Sequence, residues 1–340
     1  MAKAATDRPN RPELLCPAGT PAALRTAVDA GADAVYCGLA RRSNVRNFPG
    51  LNFLPDEFLE GVDYAHAHGA KVLMATNTFP PGDDLKDWTE TIDIAAEAGA
   101  DAAIIADIGV AAYAAEKHPD LRLHLSVQAG AASPEAIRFY TEHFNVKRVV
   151  LPRILTIAEI RKLKSEIDCE LESFIFGNVG MMAEGRCALT SYVTGVSTNM
   201  DGMCSPPSHV RYEEGPDGSM SSVLGDITID CVGPNEKAGY PTICKGRYWN
   251  SAHTEPYYAF DEPNTLNIAN LLPELIEAGV TALKIEGRQR SRAYVREVVA
   301  AYRHAVDNIL AGRDPDLANL VALTEGRGET KGAYASKRWR

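Results

Sequence analysis

Asp29-Ala-Gly-Ala-Asp-Ala-Val-Tyr36, Glu97-Ala-Gly-Ala-Asp-Ala-Ala-Ile-Ile105 and Glu277-Ala-Gly-Val-Thr-Ala-Leu-Lys-Ile285 repeat one phrase at three places in the chain. Each closes an amphipathic helix, turns on a glycine able to take the left-handed C′ conformation, and runs into a short apolar segment. That is the αβ junction of a βαβ unit. Apolar segments that do not alternate with polar residues fit parallel strands covered on both faces.

Outward from these junctions, eight such segments can be read, at 13–17, 34–38, 71–76, 102–107, 122–127, 148–152, 170–176 and 282–286. Helical patterns over 21–30, 55–68, 84–98, 134–143 and 157–167 separate most of them; 264–278 precedes the last strand and 291–311 follows it. Eight alternating units predict an α/β fold of the (β/α)8 TIM-barrel type. A doubly wound sheet would more often show a Gly-rich first turn, which Pro17-Ala-Gly-Thr-Pro21 does not supply. The expected organisation is a disordered segment over 1–12, the barrel over 13–312, and a polar extension over 313–340 ending Lys337-Arg-Trp-Arg340. The seventh unit breaks the rhythm. Residues 177–263 stand between strand seven and its helix, read as loop, and far exceed an ordinary βα connection. An insertion on the C-terminal face of a barrel is where function is expected.

Lysine and arginine total 35 against 45 aspartates and glutamates, for a net charge of −10 and no sustained basic run. Strong sequence-independent phosphate binding is not expected from such a chain, so nucleic acid is not a favoured partner. No apolar run reaches the ~18 residues that a membrane span needs. The first residues carry no apolar core of signal-peptide length. Seven cysteines, an odd number, without such a signal predict a reducing compartment, the cytoplasm.

Polar residues at the C-terminal ends of barrel strands point into the active site. They are Asn77, Asp107, Gln128, Arg153 and Glu286, with Arg288 just beyond. The loop after strand two adds Asn44, Arg46, Asn47 and Asn52. Arg46, Arg153 and Arg288, with Lys245 and Arg247, are suited to an anionic carboxylate, because the guanidinium fork matches carboxylate geometry. The plainer alternatives are a structural Arg153–Glu286 ion pair at the rim, and loop-capping roles for Asn77 and Gln128. No H-E-x-x-H or G-x-S-x-G motif is present. His124 reads as a barrel-layer residue, and His209 as a surface residue.

Cys187, Cys204, Cys231 and Cys244 all fall in the insertion, with 16, 26 and 12 residues between them. No CxxC pair exists, so a zinc ribbon is excluded and only tertiary folding can gather a metal or iron–sulfur site. Cys16 and Cys37 read as buried strand thiols. Cys169, at the start of strand seven, belongs to the opposite end of the barrel.

Glu172-Ser-Phe-Ile-Phe-Gly177 followed by Gly185-Arg-Cys-Ala-Leu-Thr190 resembles the signature of the collagenase-like peptidase family, peptidase U32. The resemblance covers nearly the whole chain. Its segments are Glu13-Leu-Leu-Cys-Pro-Ala-Gly19, Arg46-Asn-Phe-Pro-Gly-Leu-Asn-Phe53, Arg148-Val-Val-Leu-Pro-Arg153, Ala183-Glu-Gly-Arg-Cys187, Gly239-Tyr-Pro-Thr-Ile-Cys-Lys-Gly-Arg-Tyr248 and Lys284-Ile-Glu-Gly-Arg-Gln-Arg-Ser291. Within the family, the match is to the UbiU-like branch of anaerobic ubiquinone biosynthesis. That branch implies oxygen-independent hydroxylation of a quinone precursor in a heterodimer with a UbiV-like partner. It also implies a carboxylate hydroxyl donor, prephenate, and a [4Fe–4S] cluster. Hydroxylation of RNA bases is the alternative within the family; proteolysis ranks below both. By motif, three cluster ligands fall on Cys187, Cys204 and Cys244, whereas the fourth falls on Gly180. Glycine has no ligating side chain, which leaves three readings open. Cys231 substitutes, three thiolates hold the cluster with one iron open, or the cluster is replaced.

Overall fold

A computed structural model describes residues 11–180, 187–236, 238–252, 254–315, 320, 323–324 and 328–336. The N-terminal segment 1–10, the Ala183–Arg186 part of the family motif and the final Lys337–Arg340 lie outside the described residues.

Seven strands run in order: β1 Glu13–Pro17, β2 Ala34–Cys37, β3 Lys71–Thr76, β4 Ala102–Ile105, β5 Leu123–Leu125, β6 Val146–Val150 and β7 Glu170–Asn178. Each pairs in parallel with the next. Helices α1 Pro21–Asp29, α2 Pro55–Ala67, α3 Lys86–Glu97, α4 Ile108–Lys117, α5 Pro134–Phe144 and α6 Ile157–Ser165 alternate with them. The insertion then contributes α7 Leu189–Thr194, α8 Thr198–Asp201, β8 Val210–Glu214, β9 Met220–Leu224, β10 Ile227–Val232, β11 Arg247–Tyr248 and β12 Tyr257–Tyr258. The chain returns through β13 Thr265–Asn267, α9 Leu272–Glu277, β14 Val280–Ile285 and α10 Arg292–Leu310, and ends in β15 Glu329–Thr330. Strand β14 pairs in parallel with both β7 and β1, so the eight-stranded barrel closes as expected.

The repeated junctions behave as the sequence predicts. Gly31, Gly99 and Gly279 take φ values of 103°, 73° and 92°. Helix starts also follow local chemistry: Thr20 and Ser133 cap helices that open on Pro21 and Pro134, and Thr156 with Glu159 forms a capping box.

Three expectations are corrected. Helix α4 is where the fourth connection needs one, but alanine-rich Ile108–Lys117 lacks a sharp polar face and was not among the expected helices. Its N-cap is Asp107, whose Oδ1 accepts from Gly109 N and Val110 N at 2.8 and 3.1 Å. Residues 264–278 are not one helix. Thr265–Asn267 instead runs antiparallel to β7, and Asn267 Oδ1 accepts from Ala269 N, which diverts the backbone before Pro273 opens α9. The insertion is not plain loop either. Strands β8, β9 and β10 form an antiparallel sheet over a small core of Leu224, Ile229 and Ile243. Part of the C-terminal extension packs, since β15 joins β13 and Tyr334 is buried.

The main core lies between the barrel and its helices, with Trp88 fully buried and its Nε1 donating to Thr78 O at 3.2 Å. The lumen is divided. Leu15, Ala34, Tyr36, Leu73, Ala102 and Ile104 make one apolar half. The other half carries His124, Arg148, Glu172 and Lys284, all buried. Arg148 reaches Glu13 at 2.8 Å, Glu170 at 2.9 Å and Glu172 at 3.6 Å. Lys284 Nζ donates to Glu172 Oε1 at 2.6 Å.

Candidate functional site

The loop after β2, residues 38–54, frames one side of the barrel mouth. It folds back through a bridge between Leu39 and Phe53. Buried amides hold it in place. Asn44 Nδ2 donates to Leu39 O at 2.9 Å and to Asn52 Oδ1 at 2.8 Å, and Asn52 Nδ2 donates to Arg46 O at 2.8 Å. Asn52 takes φ 78°, a conformation that asparagine tolerates better than most residues.

Arg46 is thereby aimed across the mouth. Its Nη2 donates to Glu286 Oε1 at 3.0 Å, and Arg153 Nη2 donates to the other carboxylate oxygen at 2.8 Å. Arg288 Nη1 donates to Asn44 Oδ1 at 2.8 Å. The approach of Glu286 depends on Gly177, where a Cβ would come 2.6 Å from the Glu286 Cβ. Burial raises the Glu286 carboxyl, but Arg153 and Arg46 outweigh it and hold the group below its ordinary value. Arg288 is pushed down to about 10 by burial, since a neutral amide compensates its charge poorly. Two guanidiniums thus bond one carboxylate, and a third, Arg288, is held by the loop amide beside them.

The insertion folds back onto this loop. Gly202, at φ 78°, lies against Asn44, where a Cβ would come 2.1 Å from the Asn44 carbonyl oxygen. Phe79 N donates to Asn199 O at 2.9 Å, and the Phe48 and Tyr240 rings meet edge to face at 6.4 Å. Cys204 comes within the field of Arg46 as a result. Burial raises the Cys204 thiol, Arg46 lowers it and Cys187 raises it again. Cys244 is pushed up to about 11 by burial, with Cys204 and Cys187 adding to the shift. The Cys204 carbonyl accepts from Thr190 Oγ1, and the Cys187 carbonyl accepts from Asn199 Nδ2 at 3.2 Å.

Cys187, Cys204 and Cys244 thus lie near enough to influence one another electrostatically. Cys231 stands apart, exposed on β10, with its N–H on Asp230 Oδ1 and its carbonyl held by Arg247 Nη2, both at 2.9 Å. Gly180 is exposed, and a Cβ there would meet nothing within 4 Å. Among the described residues no three His, Cys, Asp or Glu groups are close enough to grip a metal ion as they stand. The trio is gathered at electrostatic rather than ligand range. In kind, three soft thiols fit iron.

The other expected residues divide. Asn77 Oδ1 accepts from Val45 N at 3.2 Å, and its Nδ2 donates to Ser126 Oγ at 3.3 Å, so it braces the same loop. Asn47 packs beside Gly202. Gln128 lies in the turn Val127–Ala129 after β5. Asp107 is committed to capping α4. Lys245 and Arg247 do not join the mouth arginines: Lys245 pairs with Asp261, and Arg247 with Asp230 and Glu236. His209 bonds Ser208 Oγ at 3.0 Å. Cys16, Cys37 and Cys169 are buried, and burial pushes Cys37 up to about 12.

Sequence reasoning missed the charged lumen residues Glu172, Lys284 and Arg148. Their signal was legible: a charge at an inward position of an otherwise apolar barrel strand needs a partner across the lumen.

Fold and site define a (β/α)8-barrel protein with Arg46, Arg153, Arg288 and Glu286 at its mouth and three electrostatically coupled cysteines in the insertion beside it. Residues 19–338 match Peptidase family U32, and the chain belongs to that family. It is 34% identical, over 88% of its length, to a protease of Methanocaldococcus jannaschii whose activity is uncharacterized, spanning 66% of that protein. It is 33% identical, over 95% of its length, to the Escherichia coli tRNA hydroxylation protein P, spanning 74% of it. It is 30% identical, over 94% of its length, to the E. coli 23S rRNA 5-hydroxycytidine C2501 synthase, spanning 42% of it. The chain is thus similar to about two thirds of the first of these relatives and to less than half of the last. No helix among the described residues is long and apolar enough to cross a membrane.

Proposed function

We propose that the chain is the iron–sulfur subunit of an oxygen-independent hydroxylase whose hydroxyl donor, a carboxylate, is held at the barrel mouth. The observation that carries this reading is the position of Arg46, which bonds Glu286 at 3.0 Å and also lies in the field of Cys204. One guanidinium joins the anion-binding mouth to the thiols.

A cluster on Cys187, Cys204 and Cys244 would supply electron transfer and an iron without a fourth thiolate, open to a substrate oxygen. The protein's own part is positioning. Arg46, Arg153 and Arg288 bind and orient the donor carboxylate, with Glu286 holding two of them in place until it arrives. The exposed, strand-bound Cys231 and the side-chain-free Gly180 support three thiolates rather than four. On the strength of the motif resemblance, the acceptor is a ubiquinone precursor, the donor is prephenate and the partner is UbiV-like.

A second reading, hydroxylation of an RNA base, is favoured by the similarity to tRNA hydroxylation protein P; the net charge of −10 weighs against it.

The test is iron and sulfide analysis of protein purified without oxygen, followed by assay against both acceptors. Wild type should hold up to ~4 irons and Cys187→Ala none. Product should form from the quinone precursor and not from tRNA, with no salt-sensitive RNA complex. TRNA hydroxylation would establish the second reading. Full activity of Cys187→Ala would sink the cluster assignment.

A further inference from the structure

We propose that Lys284 is an imine-forming lysine, whose ε-amine condenses with the carbonyl of a small 2-oxo carboxylate while Arg288 takes the carboxylate. The inference rests on the mouth arginines as a carboxylate site, and does not require the cluster.

Lys284 and Glu286 are two residues apart along β14 and its end, so both face the lumen, with Lys284 the deeper. The lysine side chain is 5% exposed, and its Nζ has an aromatic surround: 4.2 Å from the Tyr36 ring centre and 5.6 Å from that of Phe174. Each ring is shared with a guanidinium. Arg288 Cζ lies 5.6 Å from the Tyr36 centre and Arg153 Cζ 3.6 Å from that of Phe174. Tyr36 thus neighbours both the amine and the Arg288 guanidinium, and Phe174 both the amine and Arg153, which puts an amine and carboxylate-binding groups around the same two rings.

Arg288 is the guanidinium with capacity to spare. It is buried, bonds the neutral Asn44, and has no ion pair among the described residues. Burial lowers the affinity of Lys284 for its proton, which Glu172 partly restores. An amine desolvated in this way is the state that nucleophilic lysines need. Glu172 Oε1 accepts from Lys284 at 2.6 Å, while Oε2 has no hydrogen-bond partner among the described residues. That carboxylate can take the proton released by the ammonium and return it.

The steps balance without an oxidant or reductant. Glu172 accepts a proton from the Lys284 ammonium. The nitrogen lone pair adds to the carbonyl carbon, forming C–N as the C=O π bond breaks, and the oxygen takes the proton held by Glu172. A second proton passes from nitrogen through Glu172 to the hydroxyl. Water leaves, and an imine remains that withdraws electrons from the neighbouring carbon.

The experiment is reductive trapping. Full-length protein is incubated with pyruvate and borohydride, digested, and mapped by mass spectrometry. Labelling should concentrate on the Lys284 peptide and exceed that of exposed Lys86 and Lys117 at least about tenfold. It should vanish in Lys284→Arg, which keeps the positive charge beside Glu172, and fall at least about tenfold in Arg288→Lys. Glu172→Gln leaves the amine in place and should slow labelling without moving it to other lysines; a melting curve for each variant identifies those that fold. Wild type that is not labelled at Lys284, or is labelled equally at surface lysines, overturns the proposal. Labelling of iron-free protein supports it and says nothing of hydroxylation. A competent hydroxylase that is never trapped removes this inference alone.

Discussion

The floor and the mouth of the barrel use the same side chains in opposite proportions. On the floor, one arginine, Arg148, is met by three carboxylates, Glu13, Glu170 and Glu172, with Lys284, Arg122 and Lys71 completing the balance. At the mouth, one carboxylate, Glu286, is met by Arg46 and Arg153, with Arg288 close behind. Around Arg148, Glu13 and Glu170 the floor is internally compensated, as befits the stability end of a barrel, while the Lys284–Glu172 pair forms its upper edge toward the mouth. At the mouth, among the described residues, two guanidiniums bond one carboxylate and Arg288 bonds a neutral amide, an arrangement suited to an arriving anion.

Arg148→Met should break the floor most severely. It leaves Glu13, Glu170 and Glu172 with one cation each, Lys71, Arg122 and Lys284, and removing one partner of a buried ionic network costs about 3–5 kcal/mol. The denaturant midpoint should fall accordingly; an unchanged midpoint would mean that the floor is not structural. The same variant has a pH signature. Glu13 and Glu170 are partly buried, which raises them, but their cationic partners prevail and both lie below the ordinary value. Their stabilisation is complete above the unfolded carboxylate pKa of about 4.3 and is lost as pH falls through the lower folded values. Without Arg148 the folded values rise, so acid unfolding should begin at higher pH.

Arg153→Met should separate function from stability at the mouth. Glu286 keeps Arg46, so stability should change by about 1 kcal/mol or less, whereas losing a charged donor to the ligand carboxylate costs about 1.5–3 kcal/mol, or roughly 10–150-fold in kcat/KM. Equal losses of stability and activity would reduce the mouth to a second floor. Glu286→Gln removes the internal competitor. Affinity for a carboxylate probe such as pyruvate, read by calorimetry, should rise roughly tenfold, about 1.4 kcal/mol; weaker binding would show that Glu286 itself contacts the ligand. The smallest effect belongs to Cys231→Ala, whose iron content should equal that of wild type. Loss of iron would make Cys231 the fourth ligand and reverse the three-thiolate proposal.

Much of the barrel was legible because its signals are local. A glycine with positive φ after a helix and a cap before one are decided within a few residues, and the triplicated phrase carried the first. Helix α4 escaped because an alanine-rich segment has weak periodicity. The misplaced helix at 264–278 failed because Asn267 and the pairing of Thr265 with Asn178 overrode a leucine-rich pattern. At the site, Arg153 and Glu286 were found from strand-end positions, Arg288 just beyond one, and Asn44 and Arg46 from the loop after strand two. Lys245 and Arg247 looked equivalent in sequence and were assigned to other carboxylates by folding.

The sequence by itself determined the alternation of elements, the place of the insertion and the absence of a thiol at position 180, because each is a property of residue type and spacing. Only the tertiary structure decided which cysteines lie in one another's field, which arginines face Glu286, and that a lysine lies beneath them. Those facts depend on barrel closure and on Gly202 seating the insertion against Asn44, contacts between residues far apart in the chain that no local pattern encodes.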